Sequence, residues 1–220
     1  MPGCARELLA AAAKGGDVDV LQALTPRLPD NELGQALALA LYVASVHNHR
    51  PALSWLLHQD VPTEQVNWAA AQELALRTAC DRGHFASVQI LVDHCHATFT
   101  QEHFSRVVSR GLAVACKASR YPVAELLLDL SACSVEGVQA ALRASVDTNH
   151  TNTNLTSLLI HSGADARDPY TLARALEHGD VHVLHTLLQY VAMRHGCSEL
   201  AETCCPRRRR SATWRPCSCC

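Results

Sequence analysis

The sequence predicts an all-α chain made of about six stacked helix-turn-helix units. Three observations lead there. The composition is 48% hydrophobic but only 5% aromatic, so a core must come from Ala, Leu and Val, and Ala and Leu are strong helix formers. Apolar positions recur three and four apart, which sets them on one face of a helix. The whole pattern then returns about every 33 residues, the mark of a stacked array in which no unit can cover its own apolar face.

The units are read from a turn position. Gly16, Asn48, Gly83, Ser119, His150 and Gly179 follow one another at intervals of 32, 35, 36, 31 and 29 residues. Four places before each stand Ala12, Ala44, Ala79, Ala115, Val146 and Ala175. A small residue there lets the paired helix approach closely. Seven places before stand Leu9, Leu41, Leu76, Leu112 and Leu172, with Leu142 one place out of register in the fifth unit. Eight places after stand Leu24, Leu56, Leu91, Leu127, Leu158 and Leu187. The turn residue is Gly in three units and Asn in one, the types that best tolerate the left-handed backbone ending a helix. The stretch "SVDTNHTNTN" (145–154) is the least regular and is expected to be the softest.

Leu-x-x-Ala-x-x-x-Gly-His/Asp, followed by paired aliphatics and Leu-Leu at this spacing, resembles the ankyrin repeat over about residues 5–195. The best examples are "ACDRGHFASVQILVD" (79–93) and "LLIHSGADARDPYTLARALEHGDVHVLHTLL" (158–188), which includes a Gly-Ala-Asp turn at Gly163, Ala164 and Asp165. Tetratricopeptide landmarks are missing. The resemblance implies an ankyrin-type solenoid acting as a non-enzymatic scaffold or adaptor, with another protein bound on the concave surface of first helices and inter-unit fingers. One element departs from the family. Its Thr-Pro-Leu-His window reads "ELLA", "LALY", "LALR", "RGLA" and "YTLA" here, so the Thr and His that tie adjacent turns together are absent, which puts the array's rigidity in doubt.

The stretch "LVDHCH" (91–96) groups residue types that ligate zinc. In the repeat frame Val88, Ile90, Leu91 and Val92 form the buried face of a second helix. Asp93, His94, Cys95 and His96 then pass into a finger. Zinc needs about four convergent ligands, and only His103 lies close by in sequence, so no metal is expected. His178 and His182 have the spacing of a helical metal pair, but Gly179 breaks the helix between them. Cys80 and Cys116 share one register position and read as buried thiols, since stacked helices stand too far apart for a disulfide. No phosphate loop, His-Glu-x-x-His or nucleophile elbow is present. Neither an enzymatic activity nor a cofactor is therefore expected.

The fingers are expected at 59–68, 94–103 and 165–170. Within them the candidates for partner contact are Asp60, Glu64, Trp68, His94, His96, Phe99, Arg167 and Tyr170, because Trp, Tyr and Arg most often dominate interfaces. For Trp68 and Phe99 the competing reading is cover for the edge of the core.

The net charge of −2 is unevenly placed. Residues 206–220 carry five arginines and no acid, leaving 14 basic against 21 acidic residues elsewhere, a balance of −7. That argues against nucleic acid as the partner of the array. The start has no signal-peptide core, and the longest apolar run, 36–46, is about half a membrane span. Sequons at Asn149 and Asn154 then carry little weight, and the eleven cysteines read as reduced thiols. A monomer in the cytoplasm or nucleus is expected. The segment 196–220 reads as an Arg- and Cys-rich disordered tail, in which Arg207–Arg210 could serve nuclear import. A membrane is implied only if the terminal cysteines are lipidated. In the alternative reading that tail, not the array, sets where an adaptor acts.

Overall fold

The computed structural model describes residues 2–59, 61, 66–147 and 152–204, and these are all-helical, with no strand among them. Twelve α-helices follow in order: α1 Pro2–Gly15, α2 Val18–Leu24, α3 Asp30–His47, α4 Arg50–Leu57, α5 Trp68–Arg82 and α6 Phe85–Thr98. Then come α7 Gln101–Lys117, α8 Tyr121–Asp129, α9 Val135–Val146, α10 Thr153–His161, α11 Pro169–Glu177 and α12 Val181–Cys204. A single 3₁₀ turn, Thr25–Arg27, follows α2. The last helix crosses the 195/196 boundary read from the sequence.

The helices pack in two rows. Each odd-numbered helix packs on the next odd one, from α1 through α11, and each even one on the next even one, from α2 through α12. Within a pair, odd packs on even. Small residues make the close row possible: Ala40, Ala44, Ala75, Ala79 and Ala115 are wholly buried between helices. At Gly111 a Cβ would already stand 3.4 Å from the Cys80 sulfur.

The turn joining the helices of a pair is built the same way five times. Gly16, Asn48, Gly83, Ser119 and Gly179 have φ of 78°, 59°, 75°, 56° and 66°. The next residue's N–H then donates to the carbonyl of Ala12, Ala44, Ala79, Ala115 or Ala175, over 2.8 to 3.1 Å. This is the closure that satisfies the last orphan carbonyls of a helix ending in a left-handed residue. The small-residue column thus also anchors the turns. The sixth turn position, His150, lies outside the described residues, as do 148, 149 and 151 of the irregular stretch.

At the other edge the connectors start the odd helices with ordinary side-chain caps. Asn67 accepts from the N–H of Ala70 at 3.0 Å, Thr100 from His103 at 3.4 Å and Ser134 from Gly137 at 3.0 Å. Asp168 does the same for Thr171 at 3.1 Å. These types are the preferred N-caps because a short side-chain oxygen reaches a free N–H of the first turn.

One connector differs from the sequence reading. Residues 93–96 belong to α6, which continues to Thr98, and Phe99 and Thr100 alone join it to α7. The physical reason is Cys95. It is fully buried and extends the apolar period of Val88, Leu91 and Val92 by one more turn, so the core holds the helix past the expected finger.

Two apolar clusters fill the interior. The larger runs from Leu9 to Ala164 and includes Leu41, Leu76, Leu91, Leu112 and Leu127. The smaller consists of Val146, Ile160, Ala166, Ala175, Val183 and Leu187, between the last helices.

Candidate functional site

The odd row turns one face toward the even row and the other outward. Because every pair shares one register, the outward residues fall in columns. Gln35, Leu39 and Tyr42 stand on α3; Ala70, Leu74 and Arg77 on α5; Arg106, Arg110 and Ala113 on α7. Tyr42 and Leu74 are 37% and 47% exposed, although neither type gains by meeting water. Arg110 crosses from α7 to α5 and donates to Glu73 at 2.7 Å. Among the described residues Arg77 and Arg106 make no ion pair.

Beyond α7 the face becomes a groove. Helices α7 and α9 touch where a Cβ on Gly137 would overlap the Ser109 side chain at 2.4 Å. Beside that contact an open groove of about 470 Å³ is floored by Ser105, Ser109, Ala113 and Ala140 and edged by Arg106 and Glu136. The face therefore grades from apolar on α3 and α5, through cationic on α5 and α7, to a small-residue groove. Neither the groove nor the columns were singled out from the sequence. The signal was present: the positions nine and six before each turn read Leu39 and Tyr42, Leu74 and Arg77, Arg110 and Ala113.

The sequence candidates are scattered. Asp60 and Glu64 lie outside the described residues. Trp68, the first residue of α5, and Phe99, at the end of α6, are both half-buried against the core. Phe99 also stacks on His103, with centroids 4.5 Å apart. Both thus cover the core edge. His94 meets His58 edge-on at 6.0 Å. Burial first, and then the neighbouring His58 charge, push the His94 pKa down. His96 lies edge-on to Phe104 at 5.1 Å. The backbone N–H of Arg167 bonds to the Asp165 carboxylate at 2.9 Å.

Tyr170 is tied into a network between α9 and α11. Its hydroxyl donates to Asp147 at 2.9 Å, which raises its pKa, and the Arg143 guanidinium lies 5.7 Å from its ring centre. Arg143 donates to both oxygens of Asp168, at 3.0 and 2.7 Å. Those bonds hold the Asp168 carboxyl well below the usual carboxylate range, against the burial that would raise it. Arg174 joins Asp147 at 2.9 Å and Glu177 at 2.8 Å. Tyr170 is thus 45% exposed but its polar atom is engaged within the chain.

Side chains also cross between pairs at the turn edge. His49 donates through Nε2 to the Lys14 carbonyl at 2.7 Å, and His84 through Nδ1 to the Ser45 carbonyl at 3.0 Å. A carbonyl only accepts, which fixes the proton on those nitrogens. Arg120 donates through Nε to the Asp81 carbonyl at 3.0 Å. All three stand at the N-cap of an even helix, yet none caps it, because each side chain reaches back to the preceding pair. The sequence reading missed these clamps. At three of the turns a polar residue one place after the left-handed position ties the turn to the preceding pair.

Cys80, Cys95, Cys116 and Cys133 are free thiols. Burial pushes the Cys95 and Cys116 pKa values up to about 12 and that of Cys133 to about 11, so these are poor nucleophiles at neutral pH. Among the described residues no three His, Cys, Asp or Glu converge as a metal would require, and no helix is long and apolar enough to cross a membrane. No protein-family model matches the chain, and no curated protein matches it.

Proposed function

We propose that this chain is a protein-interaction scaffold with no enzymatic activity of its own, an ankyrin-type solenoid of six helix-turn-helix units. The outward face of its odd-numbered helices receives the partner. The two-row packing and the five left-handed turns, each closed on an Ala carbonyl, support the solenoid reading. The observation that carries the functional reading is the graded outward face. It offers Leu39, Tyr42 and Leu74, then unpaired Arg77 and Arg106, then the open α7–α9 groove. A small ligand is usually enclosed on most of its surface, whereas this face is long and open. Exposed Tyr, Leu and Arg in one strip suit a protein surface better, since a few aromatic and Arg side chains dominate such contacts.

Site-specific photo-crosslinking tests this. A photoreactive amino acid placed at Leu74 or Ala113 should capture a partner from a cytosolic extract, while one at Gln89 or Glu125, on the even helices, should not. The reading fails if the even-helix sites capture the same partner equally well. It also fails if capture depends only on residues 205–220.

A further inference from the structure

The chain carries a second surface, on an edge distinct from that face. The cross-pair bonds from His49, His84 and Arg120 set the turns of the first four helix pairs side by side. Along the edge they form stand Lys14, Arg50, Arg82, Lys117 and Arg120, all exposed, against Asp17, Asp19 and Asp81. Among the described residues the first four of these cations make no ion pair, whereas Arg110, Arg143 and Arg174 elsewhere do. Beyond α8 the sign reverses, with Asp147, Glu177 and Asp180 against Arg174 at the remaining turns. The opposite, connector edge carries Glu32, Glu102, Asp129, Glu136 and Asp165 against Arg27 and Arg167. The near-neutral sum of the chain thus hides a polarised body.

Helix electrostatics account for only part of the ridge. Lys14, Arg82 and Lys117 close odd helices, where the dipole favours a cation. Arg50 and Arg120 open even helices, where the same dipole opposes one. Asp129, the last residue of α8, is likewise placed against its dipole. Arg120 is also engaged by the Asp81 carbonyl. What the helices leave unexplained is a one-signed row of exposed cations, Lys14, Arg50, Arg82 and Lys117, with no ion-pair partner among the described residues. Midway along the ridge Phe85 is 45% exposed and offers an apolar anchor between the cations.

We propose that this turn edge docks an extended acidic segment of a partner protein, with about one carboxylate per helix pair. Stacked helices repeat about every 10 Å, and an extended chain advances about 3.3 Å per residue. Carboxylates at every third residue therefore match the cations in step. Nucleic acid fits less well. Its phosphates recur at every nucleotide and would meet Asp17 and Asp81, and the connector edge repels a polyanion.

The test uses the full chain with Arg207–Arg210 replaced by Gln, so that the basic tail cannot supply the binding. The probe is a labelled peptide of Glu-Ser-Ser repeats about 12 residues long, followed by fluorescence anisotropy at low and at physiological salt. Replacing Lys14, Arg50, Arg82 and Lys117 together by Glu should weaken binding about tenfold or more. The milder Gln set, with its helical signal checked by circular dichroism, should weaken it less. Arg77→Glu and Arg106→Glu, on the outward face, should leave it unchanged. Phe85→Ala should weaken a peptide carrying one Leu more than the plain repeat. The proposal is overturned if the ridge variants bind at full strength. A peptide with its glutamates contiguous binding equally well overturns it too, as does a single-stranded oligonucleotide of similar length outcompeting both peptides.

Discussion

The first five helix pairs and the last are held together by different physics. From α1 to α10 one apolar cluster runs without interruption. Side chains cross between pairs to backbone carbonyls at three turns, and Ser87 to Asn48 and Arg110 to Glu73 add two side-chain ties. Around α11 and α12 the apolar cluster shrinks to six small and medium residues, and charged groups take over. Arg143, Asp147, Asp168, Tyr170, Arg174 and Glu177 join α9 to α11 with hydrogen bonds of 2.7 to 3.2 Å. The comparison teaches that the same helix-pair plan can be closed by area or by charge. Area is insensitive to pH, and charge is not.

The largest expected effect sets the two cores against each other. Leu91→Ala empties a site wholly buried between α6 and its neighbours and should cost about 2–5 kcal/mol in urea unfolding. Leu187→Ala, also fully buried but in the smaller cluster, should cost about half as much, because fewer neighbours line the hole. Hydrogen exchange should show the Leu187 variant losing protection in α11 and α12 alone. Equal loss throughout the chain would mean that the two clusters unfold as one.

Next comes Asp168, the hub of the polar network. Asp168→Asn leaves the shape but weakens two charge-assisted bonds to Arg143 and a helix cap, for a loss of about 2 kcal/mol at neutral pH. The sign of the pH effect follows from its depressed pKa in the fold. The unfolded chain binds this proton first, near pH 4, so the stabilisation is complete above that value. It is lost as pH falls toward the lower value in the fold. On acidification α11 should therefore lose exchange protection before α3, α5 and α7, and the Asn variant should no longer show that order. If α3 opened first, the contrast between the two regions would be wrong.

Much of this organisation could be read in the residues. Most positions of the Leu and Ala columns are buried, and the three Gly and one Asn turn residues have the left-handed backbone their chemistry suggested, which Ser119 shares. Two features resisted, each for a stated reason. Cys95 looked like a polar ligand beside two histidines, but a thiol with neighbours at the right spacing behaves as a small apolar residue, and it extends α6 through 93–96. The clamps escaped because they join residues 35 to 39 apart. The register lines up such positions but does not show which side chain crosses the gap. The candidate face was legible only as columns. Which columns point outward depends on which side the even row covers, and that is a fact of packing.

The smallest effect isolates the residue after the turn, which serves different ends in the two regions. In the third pair it is His84, whose ring reaches back to the Ser45 carbonyl of α3 and leaves its own helix without a side-chain cap. In the last pair it is Asp180, which accepts from the Val183 N–H at 3.1 Å and caps its own helix. His84→Ala and Asp180→Ala should each cost about 1 kcal/mol, the first as a lost hydrogen bond and the second as a lost cap. Equal cost should hide unequal location. Without the His84 ring, the last turn of α3 loses a tie from another pair, so amide exchange should quicken there, 39 residues from the substitution. Without Asp180, exchange should quicken only in the first turn of α12. If His84→Ala left the end of α3 as protected as before, the contact across the pairs would be incidental. The third pair would then be held to the second by apolar area and the Ser87–Asn48 bond.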